Sequence, residues 1–432
     1  MLYFSTEGRA ESVPFRKALL NGLAPDGGLY MPAEIPNLGS DFFQTAAASS
    51  YPELASRMIL PFVKEDIPQS KLNDICESAF NFDLPLIGLD ERIEILELFH
   101  GPTLAFKDFA ARFMACVMEY FLQREEKELT VLVATSGDTG GAVANGFQGI
   151  EGIRVVILYP SGRVSRIQEQ QLTTLGGNIT ALEVNGSFDD CQRLVKKVFQ
   201  DKELRKSRAY SSANSINIAR LLPQTVYYAW ALHLAGSDQP VVFSVPSGNF
   251  GNLTAGLIAR RMGLPVEKFI AATNANDVFP TYLEAGEYKP QPSRQTISNA
   301  MDVGNPSNLE RIQNLYDGDV SAIKDDIVSW SFNDDETKAA IRESYELYGY
   351  LADPHTAVAI LGMEKYFKES DSKAKGIALS TAHPGKFPAV ISLIVTDEQP
   401  VPEELKIPLQ KEKHSILLSD EYDDFKEYLL NM

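Results

Sequence analysis

The residue in this sequence best suited to covalent chemistry is a lone lysine at the predicted start of a helix. Pro102 breaks whatever element precedes it. Apolar residues then recur four positions apart from Phe109 to Phe121, which predicts a helix with Lys107 in its first turn. The positive end of the helix dipole lowers the pKa of an amine placed there, and a less protonated amine is a better nucleophile. The competing interpretation is a surface lysine whose stem lies along the helix.

A second candidate is a glycine-rich loop that joins a buried apolar strand, residues 240–245, to a helix over residues 253–262. The loop consists of Ser247, Gly248, Asn249, Phe250, Gly251 and Asn252. A helix N-terminus and several backbone N–H groups around one point can bind an anion. The glycine spacing matches neither the dinucleotide fingerprint nor the Walker loop, so it indicates a phosphate on a smaller molecule. The alternative is an ordinary turn that uses glycine for tightness.

Two further loops follow predicted strands. Residues 135–141 combine three side-chain hydroxyls with glycines, and their N–H groups could hold a carboxylate, although Asp and Thr are also routine helix caps. Thr381 follows the strand predicted over residues 376–380. In open α/β sheets, ligands gather outside the carboxyl ends of the strands. A lysine nucleophile, a phosphate cradle and a carboxylate cradle together indicate a pyridoxal phosphate enzyme that acts on an amino acid.

These loops need a scaffold of parallel strands, and the pattern of the chain predicts one. Buried apolar strands alternate with helices from residue 128 onward, which favours βαβ units. Strands are predicted over 93–99, 130–135, 154–159, 179–184, 240–245, 269–273 and 376–380, and helices over 142–147, 165–175, 188–199, 216–234 and 253–262. Residues 285–307 are predicted to be a long mobile loop or lid, followed by helices to about residue 367.

The predicted domains are an N-terminal cap over residues 1–95, packed on a large domain; a small α/β domain over 107–215; and the large cofactor-binding domain over 96–106 and 216–432. A chain of 432 residues suits two domains with a shared interface.

Composition excludes several classes of partner. A net charge of −18 argues against nucleic acid and against an anionic membrane surface. The three cysteines are far apart and the five histidines lack metal-ligand spacing, so we expect neither a disulfide framework nor a metal site. Charged residues near the first methionine leave no apolar signal segment, and no apolar run is long enough to span a membrane. We expect a cytoplasmic, unprocessed protein, either monomer or homodimer.

Six motifs give the chain a resemblance to a known family. They are FHGPTLAFKDF (99–109), ATSGDTGGA (134–142), NSINIAR (214–220), PSGNFGN (246–252), DPHTA (353–357) and STAHPGKFP (380–388). In order and type they resemble the threonine synthase family in its longer bacterial and fungal form, within the pyridoxal-phosphate fold type II group that also includes tryptophan synthase β and the serine and threonine dehydratases. The resemblance implies an α/β fold with two open, mostly parallel sheets flanked by helices, and an N-terminal cap.

The resemblance also implies roles for individual residues. Lys107 is the lysine that holds pyridoxal 5′-phosphate as a Schiff base, Gly248, Asn249, Phe250, Gly251 and Asn252 hold its phosphate, and Thr381 faces its ring nitrogen. Asp138 stands where many relatives have an Asn that contacts the ring hydroxyl, a departure that leaves its role open. The substrate carboxylate is assigned to Ser136, Gly137 and Thr139, and the substrate phosphate to Arg112, Ser215, Asn217 and Arg220. An Arg on a helix is, alternatively, a surface salt-bridge partner.

The implied reaction converts O-phospho-L-homoserine and water to L-threonine and phosphate. Two other functions stay open on the sequence. A serine or threonine dehydratase, or another β-eliminating lyase on the same scaffold, would lack the second phosphate site. A non-catalytic module that binds an amino acid or nucleotide would have no use for Lys107.

Overall fold

Three sheets organise the part of the chain that the computed structural model describes, residues 1–45, 49–123, 128–236, 240–396 and 399–432. The strands are β1 (Leu2–Ser5), β2 (Val13–Pro14), β3 (Tyr30–Pro32), β4 (Leu86–Gly88), β5 (Ile93–Glu97), β6 (Leu129–Ala134), β7 (Ile153–Pro160), β8 (Ile179–Val184), β9 (Ala209–Ser212), β10 (Val241–Pro246), β11 (Val266–Thr273), β12 (Ile327–Ser331), β13 (Lys375–Ser380) and β14 (Ile416–Leu418).

The helices that connect and cover these strands begin and end as follows. They are α1 (Phe15–Asn21), α2 (Ser40–Thr45), α3 (Tyr51–Val63), α4 (Gln69–Ala79), α5 (Lys107–Leu122), α6 (Asp138–Phe147), α7 (Arg166–Thr173), α8 (Phe188–Gln200), α9 (Lys202–Ser207), α10 (Ile218–Leu221), α11 (Gln224–Ala235), α12 (Gly251–Arg261), α13 (Val278–Ala285), α14 (Leu309–Leu315), α15 (Val320–Asp326), α16 (Asp334–Tyr348), α17 (Pro354–Glu369), α18 (Pro388–Ile391), α19 (Glu403–Leu409) and α20 (Tyr422–Asn431). Within the described ranges, none of them is both long and apolar enough to cross a membrane.

The six-stranded sheet has the order β12-β11-β10-β13-β5-β4, and all neighbours are parallel except β4 and β5. Alternate residues of its central strands enter two separate cores. Val241 and Phe243 belong to one core, whereas Val242 packs with Ile360 and Met363 of α17 in the other. A parallel sheet buried on both faces needs continuous apolar strands, which is why these segments are recognisable in the sequence.

The five-stranded sheet has the order β14-β8-β7-β6-β9 and is parallel throughout. Its outer strand β14 comes from the C-terminal segment, and α20 packs against α8 and α9. Phe425 and Leu429 of α20 are fully buried with Leu182 and Leu194. The sequence interpretation placed this segment in the large domain, but its apolar face is covered by the smaller sheet. The division of the chain into domains stays a prediction.

The N-terminal residues form the third sheet, β2-β1-β3, with the helices α1 to α4. The Tyr3 hydroxyl donates to the Phe62 carbonyl at 2.9 Å, which ties the sheet to α3. Helix α3 packs on α11 and α4 packs on α5. The N-terminal region therefore supports the helix that begins at Lys107.

Some predicted elements differ from those observed. The single helix predicted over 216–234 is two helices, because Asn217 caps α10 and Pro223 begins a new turn before α11. Strand β12 lies where only helices were predicted. It is an edge strand whose residues are mostly half-buried, so it lacks the apolar run of the central strands. In residues 286–308 the only helical turn described is a 3-10 turn, Asn299–Met301. The mobility predicted for residues 285–307 stays a prediction.

Substitution of Gly256 by Ala tests the packing of α12 on the sheet. A Cβ at Gly256 would lie 2.7 Å from Cε1 of Phe269 and 2.8 Å from Cζ of Tyr228. We expect Gly256→Ala to lower the thermal unfolding midpoint, because overpacking costs about 1–3 kcal/mol and exceeds the gain in helix propensity. Gly88→Ala is the matched control, since nothing lies within 4 Å of a Cβ at that position. Equal midpoints for the two variants would contradict this packing.

Candidate active site

Helix α5 begins at Lys107, as the sequence predicts, and the loop before it is fixed by the strand end beside it. The Phe106 N–H donates to the Thr381 carbonyl at 2.9 Å, and the His383 N–H donates to the Leu104 carbonyl at 3.1 Å. Leu104 has a φ of 55°, a left-handed conformation that is strained for a bulky residue. The loop after β13 therefore sets the position from which the Lys107 side chain enters the cavity.

The Lys107 amine lies in a cavity between the two parallel sheets. Burial and the charge of Arg220 together lower the pKa of Lys107 to about 8, with burial the larger cause, and Asp138 acts in the opposite direction. The sequence argument attributed a lower pKa to the helix dipole. In the structure, the larger causes are loss of hydration and a second buried cation. The result is an amine with a substantial neutral fraction near physiological pH.

The glycine-rich loop presents backbone donors to the cavity. Phe250 has a φ of 58° and caps α12, which begins at Gly251. Among the described residues, none accepts a hydrogen bond from the N–H groups of residues 248–252. A Cβ at Gly248 would lie 2.8 Å from Cα of Met301, so this position has no room for a side chain. The loop has the free donors and close backbone approach that a phosphate requires.

Side chains around this loop hold it in place. The Asn249 amide donates to Oγ of Ser215 at 2.6 Å, and its Oδ1 accepts from the Ser307 N–H at 2.6 Å. Asn252 Nδ2 donates to the Pro246 carbonyl at 2.9 Å. These amides fix the backbone from outside, which leaves the N–H groups directed at a ligand.

The loop before α6 is a second set of backbone donors. Thr135 Oγ1 accepts from the N–H groups of Gly137 at 3.0 Å and Gly140 at 2.8 Å, and Gly137 has a φ of 147°. Within the described chain, the N–H groups of Ser136, Asp138 and Thr139 have no acceptor. The turn is thus organised by Thr135, and the donors at its tip remain available to an anion.

The structure brings most of the predicted site residues to one cavity. Those that line it are Lys107, Ser136, Asp138, Thr139, Ser215, Arg220, Gly248, Asn249, Phe250, Gly251, Asn252 and Thr381. Gly137 lies in the same turn as Ser136 and Asp138. A neighbouring groove shares Ser136 and Phe188 with the cavity and opens between the two sheets, which provides an entrance.

Two residues predicted to hold the substrate phosphate lie elsewhere. Arg112 donates to the carbonyls of Ala79 at 2.8 Å and Ser78 at 2.7 Å, at the end of α4. Asn217 donates to the carbonyls of Leu19 at 2.8 Å and Ser212 at 2.9 Å and caps α10. Neither lines the cavity, because each uses its donors to hold backbone carbonyls that helix or strand ends leave unpaired.

Arg220 does face the cavity. It is 2% exposed, one of its nitrogens donates to the Ala213 carbonyl at 2.8 Å, and its buried Nε has no partner among the described residues. Burial lowers the pKa of Arg220 to about 10. An unpartnered, buried guanidinium donor is costly unless a ligand completes it.

Sequence reasoning missed several polar residues of the site. Asn214, Gln224 and His355 also line the cavity. Asn214 exchanges hydrogen bonds with the backbone of Ala134, through its amide at 2.6 Å and its Oδ1 at 3.0 Å, so it joins β6 to the chain after β9. Asn214 and His355 lie in motifs 214–220 and 353–357, so those motifs are the sequence signal that could have identified them.

His355 connects α17 to the segment over the glycine-rich loop. Its Nδ1 lies 2.6 Å from Oδ1 of Asp353, and its Nε2 accepts from the Ala300 N–H at 3.1 Å. This arrangement assigns the ring proton to Nδ1, facing the carboxylate. His355 thereby holds Ala300 and Met301 against Gly248, and the cavity is closed on that side.

The cavity fits pyridoxal phosphate: free backbone donors suit its phosphate, and the buried amine of Lys107 suits its aldehyde. Residues 88–381 match the family described as "Pyridoxal-phosphate dependent enzyme". Fold and match together define the class, a pyridoxal-phosphate-dependent enzyme with the α/β architecture of fold type II, which confirms the predicted fold and cofactor.

More specific matches cover the two ends of the chain. Residues 2–80 match "Threonine synthase N terminus" and residues 356–429 match "Threonine synthase, C-terminal". The threonine synthase of Haemophilus influenzae is 44% identical over 97% of each chain, and that of Serratia marcescens is 40% identical over the full length of both. The chain belongs to the threonine synthase family, and the resemblance inferred from the motifs is confirmed.

Solved structures agree with this assignment. The structure of threonine synthase from Escherichia coli has a TM-score of 0.94 at 38% identity and covers 100% of both chains. The structure of PLP-bound threonine synthase from Brucella melitensis has a TM-score of 0.92 at 38% identity and covers 100% of this chain and 99% of that one.

The pKa of Lys107 gives a pH prediction. Because only the neutral amine attacks an aldehyde, the rate at which apoenzyme captures pyridoxal phosphate should rise with pH and level off above about 8. An ordinary lysine would give a rate that still rises above about pH 9. Stopped-flow absorbance of the bound cofactor measures the rate, and the reaction of the cofactor with a lysine derivative in solution controls for titration of the cofactor itself.

Proposed function

We propose that this chain converts O-phospho-L-homoserine and water to L-threonine and phosphate, with Lys107 as the residue that carries the cofactor. The observation that carries this proposal is the unpartnered Nε of buried Arg220 in the cavity that also contains the glycine-rich loop. The loop serves the cofactor phosphate, so a second cationic donor in the same cavity provides for a second phosphate. A phosphorylated amino acid is a substrate that uses both.

The cofactor contacts follow from the free donors. The N–H groups of residues 248–252 would hold the cofactor phosphate, and Thr381, which lines the cavity after the carboxyl end of β13, would face the ring nitrogen. A hydroxyl donates to an unprotonated nitrogen, whereas a carboxylate would favour a protonated one. Asp138 lines the cavity from the side of the five-stranded sheet, and the resemblance aligns it with an Asn that contacts the ring hydroxyl in many relatives.

The substrate contacts use the remaining donors. The turn of Ser136, Gly137 and Thr139 binds the substrate carboxylate through the free N–H groups of Ser136 and Thr139, whereas the Gly137 N–H donates to Thr135 Oγ1. Arg220 and Ser215 bind the substrate phosphate. Ser215 Oγ already accepts from the amides of Asn249 at 2.6 Å and Asn308 at 3.1 Å, so its own hydrogen is free to donate.

Bound pyridoxal phosphate supplies the electron sink that stabilises negative charge on substrate carbon. Lys107 supplies the proton transfers: once the substrate amine has displaced it, the free amine takes the proton from Cα and returns one at the end. A pKa of about 8 lets one group serve as base and acid near neutral pH. Ala300 and Met301 close one side of the cavity, and we assign the entry of water to the groove that shares Ser136 with it.

We further propose a cytoplasmic protein, monomeric or homodimeric, without nucleic-acid or membrane partners. Cys76, Cys116 and Cys191 are unpaired, which suits a reducing compartment. The net charge of −18 disfavours polyanionic partners.

Replacement of Lys107 tests the proposal. Lys107→Ala should lower the rate of threonine and phosphate formation from O-phospho-L-homoserine by several orders of magnitude, because the nucleophile and the general base are the same group. Cofactor should still bind reversibly through the glycine-rich loop. Lys206→Ala, at an exposed lysine of α9, is the control. Release of a 2-oxo acid from serine or threonine by the unaltered enzyme, without threonine from phosphohomoserine, would instead establish a dehydratase.

Arg220→Met separates substrate phosphate binding from cofactor binding. We expect kcat/KM for O-phospho-L-homoserine to fall about 30-fold or more, since loss of a buried charged partner costs roughly 2–5 kcal/mol. The pH at which cofactor capture levels off should move upward, because the Arg220 charge lowers the pKa of Lys107. Arg112→Met is the matched control and should leave KM within about three-fold. Equal KM values in the two variants would contradict the assignment of Arg220 to the substrate site.

A further inference from the structure

A buried ion pair beside the carboxylate-binding turn contains Lys386, a residue with no role in the chemistry described above. The Lys386 ammonium lies 2.6 Å from Oδ1 of Asp138, and the two side chains are 0% and 4% exposed. Lys386 also donates to the Thr103 carbonyl at 2.9 Å. A buried charge is tolerated only when it is paired and hydrogen-bonded, so each residue of this pair can be buried only because the other is present.

The two charges come from different sheets. Asp138 is the first residue of α6, after β6 of the five-stranded sheet. Lys386 lies in the 3-10 turn Pro384–Lys386, after β13 of the six-stranded sheet. The pair therefore spans the cleft in which Lys107 lies. Gln168 of α7 supports it by donating to Oδ1 of Asp138 at 3.0 Å.

Asp138 stands within the turn that offers its N–H groups to an anion. The N–H groups of Ser136, Asp138 and Thr139 are free, while the Asp138 carboxylate lines the same cavity. An uncompensated carboxylate in this turn would repel the substrate carboxylate and the anionic cofactor at close range and in a low-dielectric setting. Burial would raise the pKa of Asp138, but the Lys386 charge and the hydrogen bonds from Lys386 and Gln168 hold it below its usual range.

We propose that Lys386 is a positioning residue that acts through Asp138: it cancels the negative charge of Asp138 across the cleft, so that the turn of residues 136–139 can bind anions. This inference rests on the proposed function for the identity of the substrate carboxylate. The net charge of Lys386 and Asp138 is zero. The affinity of the turn for anions depends on this net charge and not on either side chain alone. Lys386 is not among the residues that line the cavity. It acts by neutralising Asp138, which does line it.

A double-mutant cycle separates charge compensation from simple packing. The local charge is zero in the parent, −1 in Lys386→Met, +1 in Asp138→Asn and zero again in the double variant. Lys386→Met should raise the dissociation constant of pyridoxal phosphate for apoenzyme, and the KM for O-phospho-L-homoserine, by about ten-fold or more. Asp138→Asn should not raise either value above that of Lys386→Met. The double variant should recover at least half of the loss on a logarithmic scale.

A purely structural role predicts the opposite result for the double variant. If the pair served only to hold the two sheets together, loss of both partners would be as damaging as loss of Lys386 alone, or more so. Fluorescence titration of apoenzyme with cofactor, thermal unfolding of apoenzyme and steady-state kinetics are measured for all four proteins. A double variant whose cofactor dissociation constant equals that of Lys386→Met overturns the inference.

One control and one replacement variant complete the experiment. Lys375→Met removes another lysine–carboxylate pair, with Glu94, at the amino ends of β13 and β5, and should leave cofactor affinity unchanged. If Lys386→Met does not fold, Lys386→Gln replaces it, since its amide can still donate to Thr103. Absence of threonine formation in the parent would refute the proposed function, while the cofactor titrations would still decide the role of the pair.

Discussion

The site depends on one constraint: the Lys107 amine must be buried and yet have no carboxylate of its own. A direct ion pair would hold the amine protonated and unreactive, while full exposure would leave it at the pKa of an ordinary lysine. The structure meets the constraint by placing Lys107 in a cleft between two sheets, where burial and Arg220 both disfavour its charged form. Asp138, the acid whose charge acts on Lys107, is engaged by Lys386 instead.

The same constraint explains why the cavity needs both sheets. The six-stranded sheet supplies the loop that fixes the start of α5, the glycine-rich loop and Thr381, and the five-stranded sheet supplies the turn before α6. Each loop follows a strand at its carboxyl end, where helix N-termini and unpaired N–H groups collect. Under the proposed function, backbone donors bind the cofactor phosphate and the substrate carboxylate, so that this acidic protein needs few cations beyond Arg220 for the substrate phosphate.

The central strands and the anion-binding loops were predictable because each has a local signature. Apolar runs such as β7 and β10 are typical of buried strands, and glycines such as those of residues 248–251 are typical of a loop whose backbone has no room for side chains. Long-range partners were not predictable. Arg112 and Arg220 look alike in sequence, and only the fold sends one to the end of α4 and the other into the cavity. For the same reason the ion pair between Lys386 and Asp138, which are 248 positions apart, could not be predicted from the sequence.

Reductive trapping of the cofactor tests the central claim most directly. The holoenzyme is treated with sodium borohydride, digested, and mapped by mass spectrometry for the pyridoxyl group. Since no carboxylate in the described part of the chain pairs with the Lys107 amine in the cavity, we expect one pyridoxyl group per chain, carried by the peptide that contains Lys107. Trapping on a different lysine, or no trapping in a protein that retains activity, would contradict the account.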